Sequence, residues 1–249
     1  MQLNRDDLLR AWRDMATIRA FEERVHTEFA AGGIPGFVHL YAGEEASAVG
    51  ICMHLTDRDV IASTHRGHGH CIAKGCDVKA MMQEIFGRAG GLCGGKGGSM
   101  HIADISLGML GANGIVGGAP PLICGAALTA KTRGTGGVAI AFCGDGGANQ
   151  GTTAEAMNLA SVWKLPAIFV IEDNGYAEST AAAWSLAGDP VKRAEGYGMP
   201  GVRVDGRDFF AVHQAAGDAI ARARKGEGPA LLHVKLERFY GHFEGDAMT

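Results

Sequence analysis

The sequence lacks any long hydrophobic run, and no stretch approaches the roughly 18–20 uninterrupted apolar residues that cross a bilayer. Its first residues, MQLNRDDLLR, lack the apolar core of a signal peptide. It contains no long basic run, and its formal net charge is −4, so nothing indicates binding to nucleic acid or to an anionic membrane surface. We therefore expect a soluble, cytoplasmic protein that binds neither.

Proline is scarce, and no two cysteines form a C-x-x-C pair. The six cysteines lie mostly in apolar or glycine-rich contexts, which predicts reduced, buried thiols rather than disulfides or a zinc knuckle. Glycine is abundant, with 39 in 249 residues, but it has no triplet period, which excludes collagen. Twenty of these glycines fall between Gly87 and Gly151. Such clusters are typical of phosphate- and ring-binding loops, although turns and tight helix contacts explain some of them.

The hydrophobic pattern predicts alternating helices and strands. Apolar residues at helical spacing predict a helix over 6–31, which Gly32 and Gly33 end. From residue 137 onward, short strands that are apolar on both sides alternate with helices, which is typical of a parallel sheet covered on both faces. We thus predict one domain over 1–249 of the α/β class, with three α/β/α layers and a mostly parallel sheet. The predicted strands are 137–143, 166–172, 201–204 and 229–236, and the predicted helices between them are 152–163 and 208–225.

Acidic and amide side chains follow two consecutive strands of this sheet. Asp145 follows the first strand, within Gly-Asp-Gly-Gly, and Asn174 and Tyr176 follow the next. Adjacent parallel strands place their carboxyl ends together, where open α/β sheets bind ligands. A carboxylate, an amide oxygen and a main-chain carbonyl are hard donors that Mg²⁺ or Ca²⁺ accepts. The two motifs together predict a divalent cation site, although Gly-Asp-Gly alone is common in turns.

Other phosphate-binding motifs fit less well. Asn149 stands where a dinucleotide fingerprint has its third glycine, which disfavours a nicotinamide or flavin site. The segment 90–96 imitates a P-loop, but Gly97 stands where Ser or Thr would hold Mg²⁺, and no strand is predicted before it. A metal-dependent phosphohydrolase that uses Asp145 stays open as an alternative of another class.

Three histidines within six residues, His65, His68 and His70, suggest a zinc site. Arg66 lies among them, however, and no cysteine or carboxylate completes the site. A strand-end loop that presents His65 and Arg66 to an anionic phosphate fits better, because guanidinium binds phosphate in a fixed two-pronged geometry. His68 and His70 are then expected to be structural.

His39 and His242 each lie in an aromatic context. Taken alone, either is more readily an ordinary histidine than a catalytic one. Glu44 and Glu45 follow His39 and resemble the first turn of a helix over 44–53, where the helix dipole favours acidic residues.

Taken together, these motifs resemble those of a known family. Gly144-Asp145-Gly146 with Asn174 is similar to the thiamine diphosphate binding motif. The segments GDGGANQG, ASVWKLPAIFVIEDNGY, GGKGGSMH, GANGIVGG and HLYAGEEA resemble alpha subunits of the thiamine-dependent first component of 2-oxo acid dehydrogenase complexes. The resemblance covers essentially residues 5–246. The ending RFYGHFEGD is most similar to acetoin dehydrogenase alpha subunits, with pyruvate dehydrogenase as the close alternative.

The resemblance implies which residues bind the diphosphate. Asp145, Asn174 and the main-chain carbonyl of Tyr176 would hold Mg²⁺ against the diphosphate of thiamine diphosphate. The backbone N–H groups of Gly146 and Gly147 would contact the diphosphate at a helix start.

The resemblance also implies which residues contact the rest of the cofactor. Arg66 would pair with the terminal phosphate, with His65 beside it. Gly114 and Val116 would contact the aminopyrimidine ring through their main chains. His65 departs from the tyrosine that many relatives have at this position.

By the same resemblance, His39 and His242 would line the active-site entrance and assist proton transfer around the substrate and the lipoyl group. Phe243 replaces the serine that is phosphorylated in animal pyruvate dehydrogenases, so we do not expect that regulation. Family members carry a C-terminal helical region beyond the point where this sequence ends, and we expect the chain to lack it.

The implied reaction is the cleavage of acetoin to acetaldehyde and a two-carbon adduct, which passes to a lipoyl group as acetyl. The implied partners are a beta subunit, in an alpha2-beta2 heterotetramer, and a lipoyl-bearing acyltransferase. The activating glutamate beside the pyrimidine ring comes from the beta subunit in this family, so the isolated chain is expected to be inactive. A non-catalytic cofactor-binding assembly subunit is a further alternative of another class.

Overall fold

The computed structural model describes residues 3–246. The strands are β1 (Val60–Ala62), β2 (Ala139–Gly144), β3 (Ala167–Asp173), β4 (Tyr176–Ala177), β5 (Thr180–Ala181), β6 (Gly201–Asp205) and β7 (Ala230–Lys235). Five of them form a parallel sheet in the spatial order β1-β2-β3-β7-β6, and β4 pairs with β5 in an antiparallel hairpin.

Helices precede, follow and connect these strands. They are α1 (Arg5–Ala30), α2 (Glu45–Cys52), α3 (His68–Lys74), α4 (Val78–Ile85), α5 (Ala119–Arg133), α6 (Gly151–Val162), α7 (Ala182–Ser185), α8 (Pro190–Gly196) and α9 (Phe209–Arg224). The long helix α1 begins with a capping box, in which Asn4 accepts the N–H groups of Asp6 and Asp7 and the Asp7 carboxylate accepts that of Asn4. This arrangement satisfies N–H groups that have no partner inside the helix.

Each face of the sheet is covered by its own apolar cluster. Along β3, Ile168 and Val170 belong to one cluster, while Phe169 and Ile171 belong to the other. Because successive side chains of a strand point to opposite faces, this alternation shows that both faces are buried. The model therefore confirms the predicted α/β class with its mostly parallel sheet.

The glycine-rich segment contains one long helix that the sequence did not predict. Helix α5 lies inside the 87–151 segment and begins with Pro120 and Pro121 in its first turn, where proline needs no N–H partner. Its residues are mostly small, and its apolar positions define no clear stripe. The short strand β1 precedes the loop with His65 and Arg66, which was expected at a strand end, but its bounds were not predicted because three residues carry too little pattern.

Within residues 3–246, none of the helices combines the length and the apolarity that a membrane crossing requires.

Candidate functional site

The carboxyl ends of β2 and β3 form the floor of a pocket. Gly144 at the end of β2 lies in register with Glu172 near the end of β3, so Asp145 and Asn174 emerge at the same edge of the sheet. Both line a pocket of about 390 Å³. The predicted juxtaposition of the acidic and amide loops is therefore present in the fold.

All the candidate residues taken from the sequence line this one pocket. They are His39, His65, Arg66, Gly114, Val116, Asp145, Gly146, Gly147, Asn174, Tyr176 and His242. The individual roles predicted for them stay predictions, but the chain brings all of them together from distant segments.

Asp145 is a buried carboxylate with an unsatisfied oxygen. It is 2% exposed, and its Oδ2 atom has no hydrogen-bond partner among the described residues. Burial raises the pKa of Asp145, and the nearby charge of Asp173 raises it further. A buried carboxylate oxygen without a partner is costly, and a bound cation would remove that cost.

The Asn174 amide is held in one orientation by two hydrogen bonds. Its Nδ2 donates to Oε1 of Glu44 at 3.1 Å, and its Oδ1 accepts the N–H of Tyr176 at 3.2 Å. Oδ1 keeps a second lone pair for another ligand. The amide oxygen is therefore held beside the main-chain N–H group of Tyr176.

Glu44 is a pocket residue that the sequence did not reveal. It resembled an ordinary first-turn residue, but it is the residue preceding α2, makes no capping hydrogen bond, and is buried beside Asn174. Burial raises the pKa of Glu44 to about 8, although the positive charge of Arg66 opposes the shift. No local sequence pattern could have signalled this, because the contact spans 130 positions along the chain.

The glycines after β2 allow a tight turn against the next loop. A 3₁₀ turn begins at Gly147, and the helix α6 follows at Gly151. A Cβ atom on Gly146 would lie 2.6 Å from the Cβ atom of Ala177, so no side chain fits at this position. The close approach leaves the main chain of the turn facing the pocket.

Arg66 is buried and ties three segments of the pocket wall together. Its Nη1 donates to the carbonyl oxygen of Leu40 at 2.6 Å, and its Nη2 donates to that of His242 at 2.8 Å. Burial lowers the pKa of Arg66, while Glu44 opposes this shift. Because a guanidinium carries five N–H donors, the two carbonyl contacts leave donors for an anionic ligand.

His39, His65 and His242 form a cluster at the pocket wall. Their ring centroids lie 4.5 Å apart for His39–His65, 4.9 Å for His39–His242 and 5.3 Å for His65–His242. Burial, together with the neighbouring histidines and Arg66, lowers the pKa of His39 to about 2. Burial and Arg66 lower the pKa of His65 to about 3, and the pKa of His242 is lowered for the same reasons. The rings of His39 and His65 are therefore neutral at neutral pH, and burial favours the neutral form of His242.

The zinc site considered for His65, His68 and His70 is not formed. His68 binds Glu22 through Nδ1 at 3.0 Å and Ser99 through Nε2 at 2.9 Å. His70 uses Nδ1 for Ser63, at 2.7 Å, and Nε2 for other buried partners. The ring nitrogens of His68 and His70 thus bind different protein groups and do not converge on one point. Both histidines are structural, as expected.

A buried polar network lies beneath the pocket and was not predicted either. The Glu172 carboxylate at the end of β3 accepts hydrogen bonds from the hydroxyl groups of Tyr41 and Ser47. His70 contacts both Tyr41 and Glu172 and stacks on Phe142 at 3.8 Å. These contacts anchor the segment that carries His39 to the end of β3.

The chain matches a known protein family and several of its members. The family model of the dehydrogenase E1 component matches residues 13–249. The alpha subunits of acetoin:2,6-dichlorophenolindophenol oxidoreductase from Cupriavidus necator and Bacillus subtilis are 66% and 60% identical to the chain, over 100% of the chain and 75% of each relative. The alpha subunit of the pyruvate dehydrogenase E1 component from Zymomonas mobilis is 45% identical, over 98% of the chain and 69% of that relative.

Among solved structures, transketolase from Campylobacter jejuni has the same fold. It superposes with a TM-score of 0.70 at 19% sequence identity, over 94% of the chain and 38% of the transketolase chain. At this identity the likeness concerns the fold alone.

Proposed function

Because the chain belongs to the family of dehydrogenase E1 components, we propose that it is the alpha subunit of a thiamine diphosphate-dependent dehydrogenase that cleaves acetoin. The acetoin assignment is supported by 66% and 60% identity to the two acetoin oxidoreductase subunits, against 45% for a pyruvate dehydrogenase subunit. Oxidative decarboxylation of a 2-oxo acid such as pyruvate is the second candidate.

The observation that carries the proposal is the unsatisfied carboxylate of Asp145 in the same pocket as the oriented amide of Asn174. Together with the carbonyl of Tyr176, these groups would hold Mg²⁺, and the cation would neutralise a diphosphate. The donor set fits, because all three ligands are hard oxygens. Gly146 and Gly147 would then direct main-chain N–H groups at the diphosphate.

Thiamine diphosphate, when bound, supplies a carbanion that adds to a carbonyl and stores the electrons of the broken carbon–carbon bond. The remaining work belongs to the chain. Arg66, with His65 beside it, would pair with the terminal phosphate. Gly114 and Val116 would contact the aminopyrimidine ring through their main chains.

His39 and His242 would contact the substrate as neutral rings. With the pKa of His39 lowered to about 2 by burial and nearby cations, this ring carries no charge of its own and can donate or accept one hydrogen bond at a substrate oxygen. Its Nδ1 atom, like that of His242, has no partner among residues 3–246. Both atoms are available for a hydrogen bond to the substrate.

A beta subunit would complete the site. The family assignment implies such a partner, and we propose an alpha2-beta2 heterotetramer that delivers acetyl groups to a lipoyl-bearing acyltransferase. The segment that would contact the aminopyrimidine ring supports a partner at this place. Its side chains Ile115 and Val116 are 72% and 51% exposed at the pocket. Apolar side chains exposed beside a ligand pocket are typical of interfaces.

Reconstitution tests this function. The chain is assayed alone and with its beta subunit, with thiamine diphosphate, Mg²⁺ and 2,6-dichlorophenolindophenol as the electron acceptor, on acetoin and on pyruvate in parallel. We expect turnover of acetoin only when both subunits are present. A preference for pyruvate would favour the second candidate, cofactor binding without any turnover would indicate an assembly subunit, and turnover by the chain alone would contradict the proposal.

A further inference from the structure

The three histidines at the pocket wall form a cluster of potential metal ligands. His39, His65 and His242 come from distant parts of the sequence, yet one ring nitrogen of each lies within 4.8 Å of the others. The Nδ1 atoms of His39 and His242 are buried and have no hydrogen-bond partner among residues 3–246. Buried polar nitrogens that lack a partner in the chain point to a ligand from outside it.

We propose that His39, His65 and His242 bind one transition-metal ion of the Zn²⁺ type, with a water molecule or an anion in the fourth position. Tetrahedral zinc with bonds of 2.0–2.1 Å holds its nitrogen ligands about 3.3 Å apart. The ligating ring nitrogens, which lie within 4.8 Å of one another, must therefore approach one another by about 1.5 Å at most. Rotation about side-chain bonds can supply this movement.

This site and the Asp145 site select different metals. Imidazole nitrogen is a ligand for Zn²⁺, Cu²⁺, Ni²⁺ and Co²⁺, whereas carboxylate and amide oxygens suit Mg²⁺. Asp145 and Asn174 offer only oxygen, and the histidine cluster offers only nitrogen. One pocket thus presents a hard site for the metal of the cofactor and a second site for a softer cation.

Charged neighbours act in both directions. Arg66 and Arg238 lie near His242 and would repel a dication, whereas Glu178 and Asp246 also lie near it and would attract one. The guanidinium of Arg66 is also bound to two carbonyl oxygens. Both arginines would stabilise an anion in the fourth position, so a metal-bound hydroxide or small carboxylate is favoured there.

A metal at this cluster would occupy the rings of His39 and His242 and narrow the pocket. Because His65 is placed beside the terminal phosphate of the cofactor, the metal would inhibit the enzyme in competition with both substrate and thiamine diphosphate, and this consequence rests on the proposed function. The binding itself does not rest on it, because it depends only on the geometry of the three rings.

Binding of Co²⁺ to the purified full chain tests the proposal directly. Co²⁺ replaces Zn²⁺ and reports its ligands through visible absorption. The titration is done with excess Mg²⁺ and without thiamine diphosphate, so that the oxygen site is occupied by the harder metal. We expect one equivalent of Co²⁺ to bind with the strong visible bands of tetrahedral coordination, and Zn²⁺ to displace it.

Variants assign the ligands. His65→Phe and His242→Asn should each weaken Co²⁺ binding at least about tenfold, because each removes a ligating nitrogen. His65→Cys should retain binding and add a thiolate charge-transfer band, since cysteine is itself a good zinc ligand. His54→Gln is the matched control, because His54 belongs to a different histidine pair with ring centroids 4.0 Å apart, and it should bind Co²⁺ like the wild type.

Three results would overturn the proposal. The first is the absence of tetrahedral bands in the wild type. The second is unchanged binding in both His65→Phe and His242→Asn, with circular dichroism showing that they are folded. The third is loss of binding in His54→Gln or in Asp145→Ala, which would place the ion at the other histidine pair or at the oxygen site. None of these results bears on thiamine diphosphate binding, which is measured separately.

Discussion

At the scale of single residues, Glu44 shows how burial gives an ordinary side chain a new property. Its carboxyl group lies between the Asn174 amide and the charges of Arg66 and Glu172. Burial raises its pKa to about 8, against the opposing effect of Arg66. A protonated Glu44 can stay buried at neutral pH without the cost of an isolated charge.

Glu44 should make the stability of the chain depend on pH. Its folded-state pKa of about 8 lies above the ordinary value of 4.5, so its contribution is fully present below about pH 4.5 and is lost as the pH rises towards and through 8. Glu44→Gln keeps an oxygen that can accept from Asn174 and cannot ionise. We expect the variant to gain stability relative to the wild type as the pH rises from 6 to 9, by roughly 2.7 kcal/mol at most.

Thermal unfolding between pH 5 and pH 9 measures this effect. Glu195→Gln, at an exposed position of α8, is the control and should follow the wild type at every pH. Parallel curves for the wild type and Glu44→Gln would show that Glu44 is ionised in the folded chain, contrary to the account.

The sequence could indicate residues by their local motif but not by their distant contacts. Asp145, Asn174 and the glycines beside them stand in motifs at strand ends, and they line the pocket as predicted. Glu44 was missed because its character depends on a contact across the chain. The His39–His65–His242 cluster was missed for the same reason, whereas the neighbouring histidines in the sequence, His68 and His70, proved to be structural.

At the scale of elements, close packing between α3 and the segment before α2 positions the pocket wall. Gly69 in α3 lies against the ring of the buried Tyr41, and Tyr41 in turn bonds to His70 and Glu172. A glycine is needed here for space rather than for an unusual backbone angle. The contact holds the segment with His39 close to the carboxyl end of β3.

Two glycine-to-alanine substitutions in helices should therefore have opposite effects. In Gly69→Ala the new Cβ atom would overlap the Tyr41 ring, so we expect a loss of roughly 1–3 kcal/mol in the free energy of unfolding. Gly125 lies on an exposed side of α5, and a Cβ atom there meets nothing within 4 Å. Gly125→Ala should stabilise the chain by about 0.4–1 kcal/mol, because it restricts the unfolded state.

Denaturant unfolding of the two variants and of the wild type measures whether the free energy of unfolding falls in Gly69→Ala and rises in Gly125→Ala. Equal stability of Gly69→Ala and the wild type would mean that α3 can move away from Tyr41 without cost. Such a result would contradict the role assigned to this contact.

The elements themselves follow from the sequence where the pattern is long or repeated. The helix α1 and the strands β2, β3, β6 and β7 lie within one or two residues of their predicted bounds. The pattern fails inside the glycine-rich segment, where α5 is built largely from small residues. There the helix is fixed by its packing against β2 and α6, which no local periodicity shows.

At the scale of the whole molecule, the sheet is buried on both faces, so its carboxyl edge is the place where polar loops can gather. The loops after β1, β2 and β3 and the segment near His242 meet there. The order β1-β2-β3 makes the meeting of the Asp145 and Asn174 loops predictable, because β2 and β3 are consecutive strands in the chain and neighbours in the sheet. The position of His242 at this edge is not predictable from strand order. Its carbonyl oxygen accepts a hydrogen bond from Arg66, a contact between distant parts of the chain.

The central claim is that the ends of β2 and β3 hold a diphosphate through one divalent cation. Isothermal titration of thiamine diphosphate in the presence of Mg²⁺ tests it most directly, on the wild type, on Asp145→Ala and on the exposed control Asp218→Ala. The account predicts Mg²⁺-dependent binding in the wild type and the control, and a loss of at least about tenfold in affinity in Asp145→Ala. Unchanged affinity in Asp145→Ala, or binding that does not need Mg²⁺, would contradict it.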